Sequence, residues 1–307
     1  MFEHKSVLLD ESIAALQIKP EGIYVDGTAG GGGHSYAIAS RLTTGRLISI
    51  DRDPDAVNAT AERLASFKNV MVVHDRFSNI KTILRQLQIE KIDGMLLDLG
   101  VSSYQLDTRE RGFSYHGDAP LDMRMSKTGV TAAQLVNTLS AAELSHIFFT
   151  YADEKFAFKI ADRIVQQRKE QPIETTAALY QIVANCYPAK FKRDGNPARK
   201  VFQALRIAVN GELEEVKQGI EDAFELLQIG GRIAVITFHS VEDRLVKQCF
   251  ATFCRGCECP PDFPVCVCGK TPRAKLVFKK PIEASMAEQN ENQRSRSAKL
   301  RAVERIK

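Results

Sequence analysis

Residues 22–35 read GIYVDGTAGGGGHS. A short apolar run from Gly22 to Val25 meets Asp26, and five glycines follow between Gly27 and Gly33. A hydrophobic segment that turns through so much glycine brings its backbone close to a ligand or to a neighbouring helix. The dinucleotide pattern G-x-G-x-x-G does not complete, because Ser35 stands where the third glycine would fall counting from Gly30. A phosphate-binding P-loop needs G-K-[ST], and the stretch holds no lysine. The pattern D-x-x-x-G-x-G does fit, on Asp26, Gly30 and Gly32. Asp51 then ends the next apolar run, where a carboxylate can accept both hydroxyls of a ribose. A glycine turn without a phosphate clamp, followed by a ribose-binding acid, suggests an adenosine lacking a pyrophosphate. S-adenosylmethionine is the common cofactor of that kind. For the glycines alone, the plain alternative is a tight strand-to-helix turn.

Outward from this turn, short apolar runs predict buried parallel strands at 22–25, 46–50, 70–73, 92–97 and 232–238. Helical patterns lie between the first four, at 35–42, 54–67 and 78–87. Asp53 is placed to cap the second with Pro54 at its first position, and Ser78 to cap the third. Asp53 and Asp55 therefore read as helix-start residues. Alternating strand and helix predicts a doubly wound α/β sheet. From about 108 to 206 the rhythm breaks and only helical stretches remain, one opened by a Ser140/Glu143 capping box. The chain thus divides into a core at 1–107, a helical insertion at 108–206 and a second part of the core at 207–307. Insertions at the carboxyl ends of strands tend to carry substrate contacts.

The 307 residues are 44% hydrophobic, enough for a sizeable core. No export signal or membrane-length apolar run is legible, so a cytoplasmic protein with reduced cysteines is expected. The net charge of +4 is unevenly placed. Residues 158–206 hold ten Lys/Arg against four acids, and residues 270–307 hold eleven against four. Two basic blocks on an acidic body suit a polyanion, or else a solvated helix face and a frayed tail. Five of the seven cysteines fall in 254–269, where two Cys-x-Cys pairs, Cys257/Cys259 and Cys266/Cys268, stand six residues apart. That spacing suits a zinc staple or a loop of reduced thiols stiffened by prolines. The expected chemistry needs no metal.

Several stretches carry a family resemblance: HKSVLLDE, YVDGTAGGGGHS, ISIDRDPDA, IDGMLLDLGVSSYQLD, RGFSY with PLDMRM, FQALRIAVNGELE, GGRIAVITFHSVEDR and NQRSRSAKLRAVER. In this order, over nearly the whole length, they resemble the bacterial 16S ribosomal RNA (cytosine-N4)-methyltransferases, the RsmH or MraW family. The resemblance implies a class I (Rossmann-like) S-adenosylmethionine-dependent methyltransferase fold with an inserted helical domain. It also implies methylation of a cytidine N4 in the decoding region. By the same resemblance, Gly32, Gly33, His34, Asp51, Phe77, Asp98 and Gln105 would contact the cofactor. Alone, Phe77 reads as a core aromatic and His34 as a surface histidine at a helix start. Asp75 is an alternative adenine contact.

Related amino-methyltransferases carry an Asp, Asn or Ser before Pro-Pro and an aromatic at the end of strand four. Here that place reads Asp98-Leu99-Gly100-Val101, with the acid but neither prolines nor aromatic. Asp98 is open to two roles: holding the target amine, or contacting the methionine end of the cofactor. Tyr104, Phe113, Tyr115 or Phe238 could stack on a flipped base, though each is more often core. His239 follows the last long strand and joins Asp98 as a chemistry-facing candidate. There Ser240 with Asp243 also reads as a helix cap. Arg199, Lys200 and Arg206 in the insertion, with Arg294, Arg296 and Arg301 in the tail, are the candidate RNA-backbone contacts. The expected partner is 16S rRNA, within the small ribosomal subunit, with no DNA and no membrane; a homodimer is left open. The rivals are a nicotinamide-dependent oxidoreductase, opposed by the broken glycine pattern, and a non-catalytic ribosome-assembly protein that keeps a cofactor pocket.

Overall fold

The computed structural model describes residues 6–188, 196, 198–257, 259, 263–265 and 267–307. In chain order it begins α1 (Leu9–Leu16), β1 (Ile23–Asp26), α2 (Gly33–Ala39), β2 (Arg46–Asp51) and α3 (Pro54–Arg63). Next come β3 (Val70–His74), α4 (Ile80–Gln86), β4 (Ile92–Asp98), α5 (Ser103–Asp107), α6 (Ala132–Thr138) and α7 (Ala141–Ala152). Then follow α8 (Ala157–Gln167), α9 (Thr176–Cys186), α10 (Arg199–Asn210), α11 (Glu212–Leu226) and β5 (Leu227–Thr237). Last are α12 (Ser240–Cys254), β6 (Ala274–Leu276), β7 (Ile282–Glu283), α13 (Met286–Glu291) and β8 (Lys299–Arg305). Two compact units result, Met1–Gly100 with Leu213–Lys307, and Val101–Glu212. The second begins earlier and ends later than the 108–206 insertion read from the sequence. No helix among the described residues is long and apolar enough to cross a membrane.

In the first unit, one sheet runs β3-β2-β1-β4-β5-β8-β6, and β7 pairs with β8. β3, β2, β1, β4 and β5 are parallel, whereas β8 is antiparallel to each of its partners. Register sets Val25 beside Ile48 and Met95, and Leu97 beside Val235. All five are buried, as strands covered on both faces require. The chain steps from β1 outward to β2 and β3, then returns to the other side of β1 with β4. The switch point therefore lies at β1/β4, where open α/β sheets leave a crevice at the strands' carboxyl ends. Asp26, Asp51 and Asp98 are the last residues of β1, β2 and β4.

Local signals hold where the side chain competes only with its own backbone. Asp53 caps α3, accepting the Asp55 amide at 3.0 Å, with Pro54 at the first position. Ser78 is a correction. It lies inside a 3-10 turn, Phe77–Asn79, and α4 starts at Ile80 with no side-chain cap. The C-terminal segment is not a frayed tail, because Leu300, Ala302 and Val303 are buried in β8. Its cations are largely committed inward: the Arg305 guanidinium donates to the carbonyls of Phe224, Glu225 and Leu227 at the end of α11.

Phe77 packs in the first unit's core, where Gly219 of α11 gives it room. A Cβ on Gly219 would stand 2.4 Å from the Phe77 ring. Gly219→Ala gains about 1 kcal/mol in helix propensity. Forcing the ring aside costs about 1–3 kcal/mol. We expect net destabilisation of the first unit in chemical denaturation; a rise in midpoint would show that the ring moves freely.

The second unit is helical. Phe148, Ile160, Ile164, Val183 and Leu205 are fully buried in its core. The Ser140/Glu143 capping box forms as read. Three of the matched motifs meet here on one loop. Arg111 donates to the carbonyls of Arg124 and Met125 at 3.0 and 2.8 Å. Asn210 accepts the Met125 amide at 2.9 Å and donates to the Met123 carbonyl at 2.8 Å. RGFSY, PLDMRM and the Asn210 stretch are thus joined by buried hydrogen bonds, a structural use of those residues.

Candidate active site

The glycine turn is built from β1 outward. Asp26 is fully buried. It accepts the Ser35 hydroxyl at 2.6 Å and the Thr28 amide at 3.1 Å, tying the strand end to α2. Burial pushes its carboxyl up to about 6, against the pull of these donors. Gly30 and Gly32 take positive φ of 53° and 75°, which glycine adopts without a Cβ penalty. A Cβ on Gly33 would stand 1.9 Å from Ser6 Oγ, whereas one on Gly31 would meet nothing within 4 Å. The turn is thus packed behind and open at Gly31. Thr60 and Arg63 of α3 donate to the Gly30 and Gly31 carbonyls at 3.0 and 3.1 Å, contacts that no local pattern announces.

Asp51 holds the other side of the turn. Its Oδ2 accepts the Gly30 amide and its Oδ1 the Asp53 amide, each at 2.8 Å. Burial raises this carboxyl, while the Asp53 and Gly30 amides oppose the rise. Each oxygen has one lone pair committed to backbone and one left for a hydroxyl. Phe77 is buried in the core at 8% exposure, and Asp75 accepts the Arg76 amide and the Asn79 side chain, each at 2.7 Å.

Asp98 is the most unusual group. The Thr28 hydroxyl accepts its amide at 2.6 Å, fixing the end of β4 against the glycine turn. Its Oδ1 is buried and has no hydrogen-bond partner among the described residues. Burial first, then the carboxylates of Asp26 and Glu242, push Asp98 up to about 8. His34 lies 3.6 Å from its Oδ2 through Nδ1. This histidine is buried, not at the surface, and its Nε2 lies 3.1 Å from the Val7 carbonyl. A carbonyl only accepts, so Nε2 carries a proton, and Nδ1 is the ring nitrogen that faces Asp98.

His239 and Ser240 are corrected together. His239, not Ser240, caps α12, and its Nδ1 accepts the Glu242 amide at 3.3 Å. Its Nε2 stands 2.9 Å from Glu242 Oε1, an ion-pair distance without hydrogen-bond alignment. Buried Glu242 also accepts the Phe238 amide at 3.0 Å. Nδ1 is thus committed to the cap, whereas Nε2 has no hydrogen-bond partner among the described residues. Asp243 instead takes a bidentate pair from Arg301, at 2.7 and 3.0 Å.

The remaining candidates divide by their partners. Gln105 belongs to the second unit, where it closes a capping box with Ser102 on α5. Arg206 is bidentate to Glu212, both bonds 2.8 Å, and Arg301 to Asp243. Both guanidinium groups are committed within the protein and leave the phosphate-binding set. Arg199 and Lys200 are exposed at the start of α10, although Lys200 donates to the Asp153 carbonyl at 2.8 Å. Arg294 and Arg296 are exposed in the turn at Gln293–Ser297. Among the stacking candidates Tyr104 is exposed, Phe113 is buried and Tyr115 packs edge-on against Phe202.

A parallel sheet reversing at β1/β4, a glycine turn and acids on three adjacent strand ends define a class I methyltransferase architecture. The chain matches the model of the MraW methylase family over residues 1–306. It is 52% identical over 307 residues to ribosomal RNA small subunit methyltransferase H of Clostridium botulinum (strain Loch Maree / Type A3), across 99% of each chain. To the protein of that name from Lachnospira eligens it is 52% identical over 309 residues, across 99% of this chain and 98% of the other. The chain belongs to the MraW methylase family.

Proposed function

We propose that this chain transfers a methyl group from S-adenosylmethionine to the exocyclic N4 of a cytidine in the decoding region of 16S rRNA, within the small ribosomal subunit. The family match over residues 1–306 carries the reading. The residues also fit the cofactor: a buried acceptor on Asp98 lacks a donor, and the turn is open at Gly31. When bound, S-adenosylmethionine supplies an electrophilic methyl group on a sulfonium. Asp51 would accept from ribose hydroxyls with its free lone pairs, and Gly30–Gly33 would let backbone approach the nucleoside. Phe77 and Gln105 remain candidates for the cofactor on the strength of the resemblance alone.

The N4 lone pair is delocalised into the cytosine ring, so the amine is a poor nucleophile. An acceptor that holds one of its hydrogens lets the lone pair turn out of conjugation, and the rest is positioning. Asp98 is the acceptor in place, either for this amine or for the ammonium of the cofactor. The carboxylate is the stronger acceptor for either task. Arg199, Lys200, Arg294 and Arg296 would bind RNA phosphates, which fixes position and leaves base choice to local RNA shape.

The test is incubation with methyl-labelled S-adenosylmethionine and small ribosomal subunits lacking the modification, followed by nucleoside analysis. Labelled N4-methylcytidine is expected. Label on another base would overturn the target, and no label despite measurable cofactor binding would favour an assembly role.

A further inference from the structure

Three cysteines outside the methyl-transfer site converge. The thiol sulfurs of Cys257, Cys259 and Cys268 all lie within 4.8 Å of one another. Cys257 and Cys268 sulfurs are 3.8 Å apart. A disulfide would require about 2.05 Å. Thiolates at the corners of a tetrahedron, about 2.3 Å from a central zinc, stand about 3.8 Å from one another. The Cys259 amide also donates to Cys257 Sγ at 3.3 Å, an interaction that favours the thiolate over the thiol. We propose that Cys257, Cys259 and Cys268 bind a structural zinc ion. Cys266, the other member of the second Cys-x-Cys pair, lies outside the described residues, and the site rests on the three thiolates.

The surrounding chain supplies a reason for a staple. Between the end of α12 at Cys254 and the start of β6 at Ala274 there is no regular element among the described residues. None of the described residues from Arg255 to Arg273 is buried, and Val265 and Val267 are each 70% exposed or more. A loop whose described residues bury no side chain has little to offset its ordering entropy. A thiolate-bound ion joining residues 257 and 268 closes most of it. Three soft sulfur donors select zinc over the oxygen-loving cations magnesium and calcium. No oxygen ligand or substrate role is implied, so the site serves the loop and not the methyl transfer.

Full-length protein purified without chelator or added metal is expected to carry one equivalent of zinc by elemental mass spectrometry. Cys257→Ser and Cys268→Ser are each expected to lose it, while Cys254→Ser, outside the cluster, keeps it. Because a serine variant can also misfold, the wild type is stripped with chelator and titrated with cobalt(II). Thiolate-to-cobalt charge-transfer absorption together with intense tetrahedral d–d bands is expected. Proteolysis between 255 and 273 should accelerate about tenfold on stripping and slow again when zinc is restored. Three results would overturn the site: metal-free protein with no thiolate–cobalt absorption, zinc retained after both serine substitutions, or an intact mass two hydrogens light from a Cys257–Cys268 disulfide.

Discussion

Replacing Asp51 with Ala is expected to raise the dissociation constant for S-adenosylmethionine at least about a hundredfold. The carboxylate orders the turn and, on the proposed reading, would offer the acceptors for the ribose. Its two oxygens hold the Gly30 and Asp53 amides, each at 2.8 Å. A hydrogen bond to a charged group contributes about 1.5–3 kcal/mol, so two lost ribose contacts alone account for about 3 kcal/mol or more. Asparagine at this position would be no rescue. Whichever way the amide turns, its NH₂ faces a backbone N–H, donor against donor. Asp51→Asn is therefore expected to bind nearly as weakly as Asp51→Ala. Equilibrium dialysis with labelled cofactor measures both. Wild-type affinity in the Asn variant would mean that Asp51 only packs the turn.

Asp98→Asn is expected to stabilise the protein at alkaline pH while it disables the cofactor site. The ordinary carboxyl value is 3.8, and Asp98 stands near 8 in the fold. Between those values the folded state binds more protons than the unfolded chain, so stability falls as pH rises. One such group contributes a slope of about 1.4 kcal/mol per pH unit. Asp26, at about 6, adds a parallel loss in the lower part of that window. Asp98→Asn removes the Asp98 slope. The variant should therefore melt a few degrees above wild type near pH 8, with the difference shrinking toward pH 4. Cofactor affinity should behave oppositely. If Asp98 takes the ammonium of the cofactor, its carboxylate is the stronger binding form, and wild-type affinity rises with pH up to about pH 8. In the Asn variant that dependence disappears and binding weakens. Parallel thermal melts and calorimetric titrations across this range check both, and equal pH profiles for the two proteins would sink the assignment.

The stability difference and the binding difference have one origin. A buried carboxylate with an unused oxygen costs the empty protein stability and is compensated when a donor arrives, an arrangement common at functional sites. The same group explains why the missing Pro-Pro-aromatic after Asp98 does not leave the strand end undefined. The Thr28 hydroxyl and the His34 ring hold Asp98 from the glycine turn and α2.

Much was legible in single stretches of chain. The five parallel strands, the Asp53 cap and the Ser140/Glu143 box depend on periodicity and on contacts within four residues, and sequence carries those directly. The glycine turn and Asp51 were legible for the same reason, since both follow strand ends. β8 was not, because its buried Leu300, Ala302 and Val303 do not alternate cleanly and sit among the basic residues of the C-terminal segment. The cap of α12 was read at Ser240 because a strand-end histidine and a helix cap look alike in sequence, and only the Glu242 amide at His239 Nδ1 separates them. Arg206 and Arg301 looked like free cations until Glu212 and Asp243 were found against them.

By itself, then, the sequence determined the sheet's parallel half, the turn at residues 27–33 and the family, since each is written in local spacing or in motifs read in order. Only the tertiary structure decided which charges are spent inside the protein, which acid lacks a donor and which thiols meet. Those properties belong to pairs of residues far apart in the chain. Ser6 behind Gly33, Val7 on His34 and Thr28 beneath Asp98 acquire their roles only when burial removes the water that would otherwise serve every polar group equally.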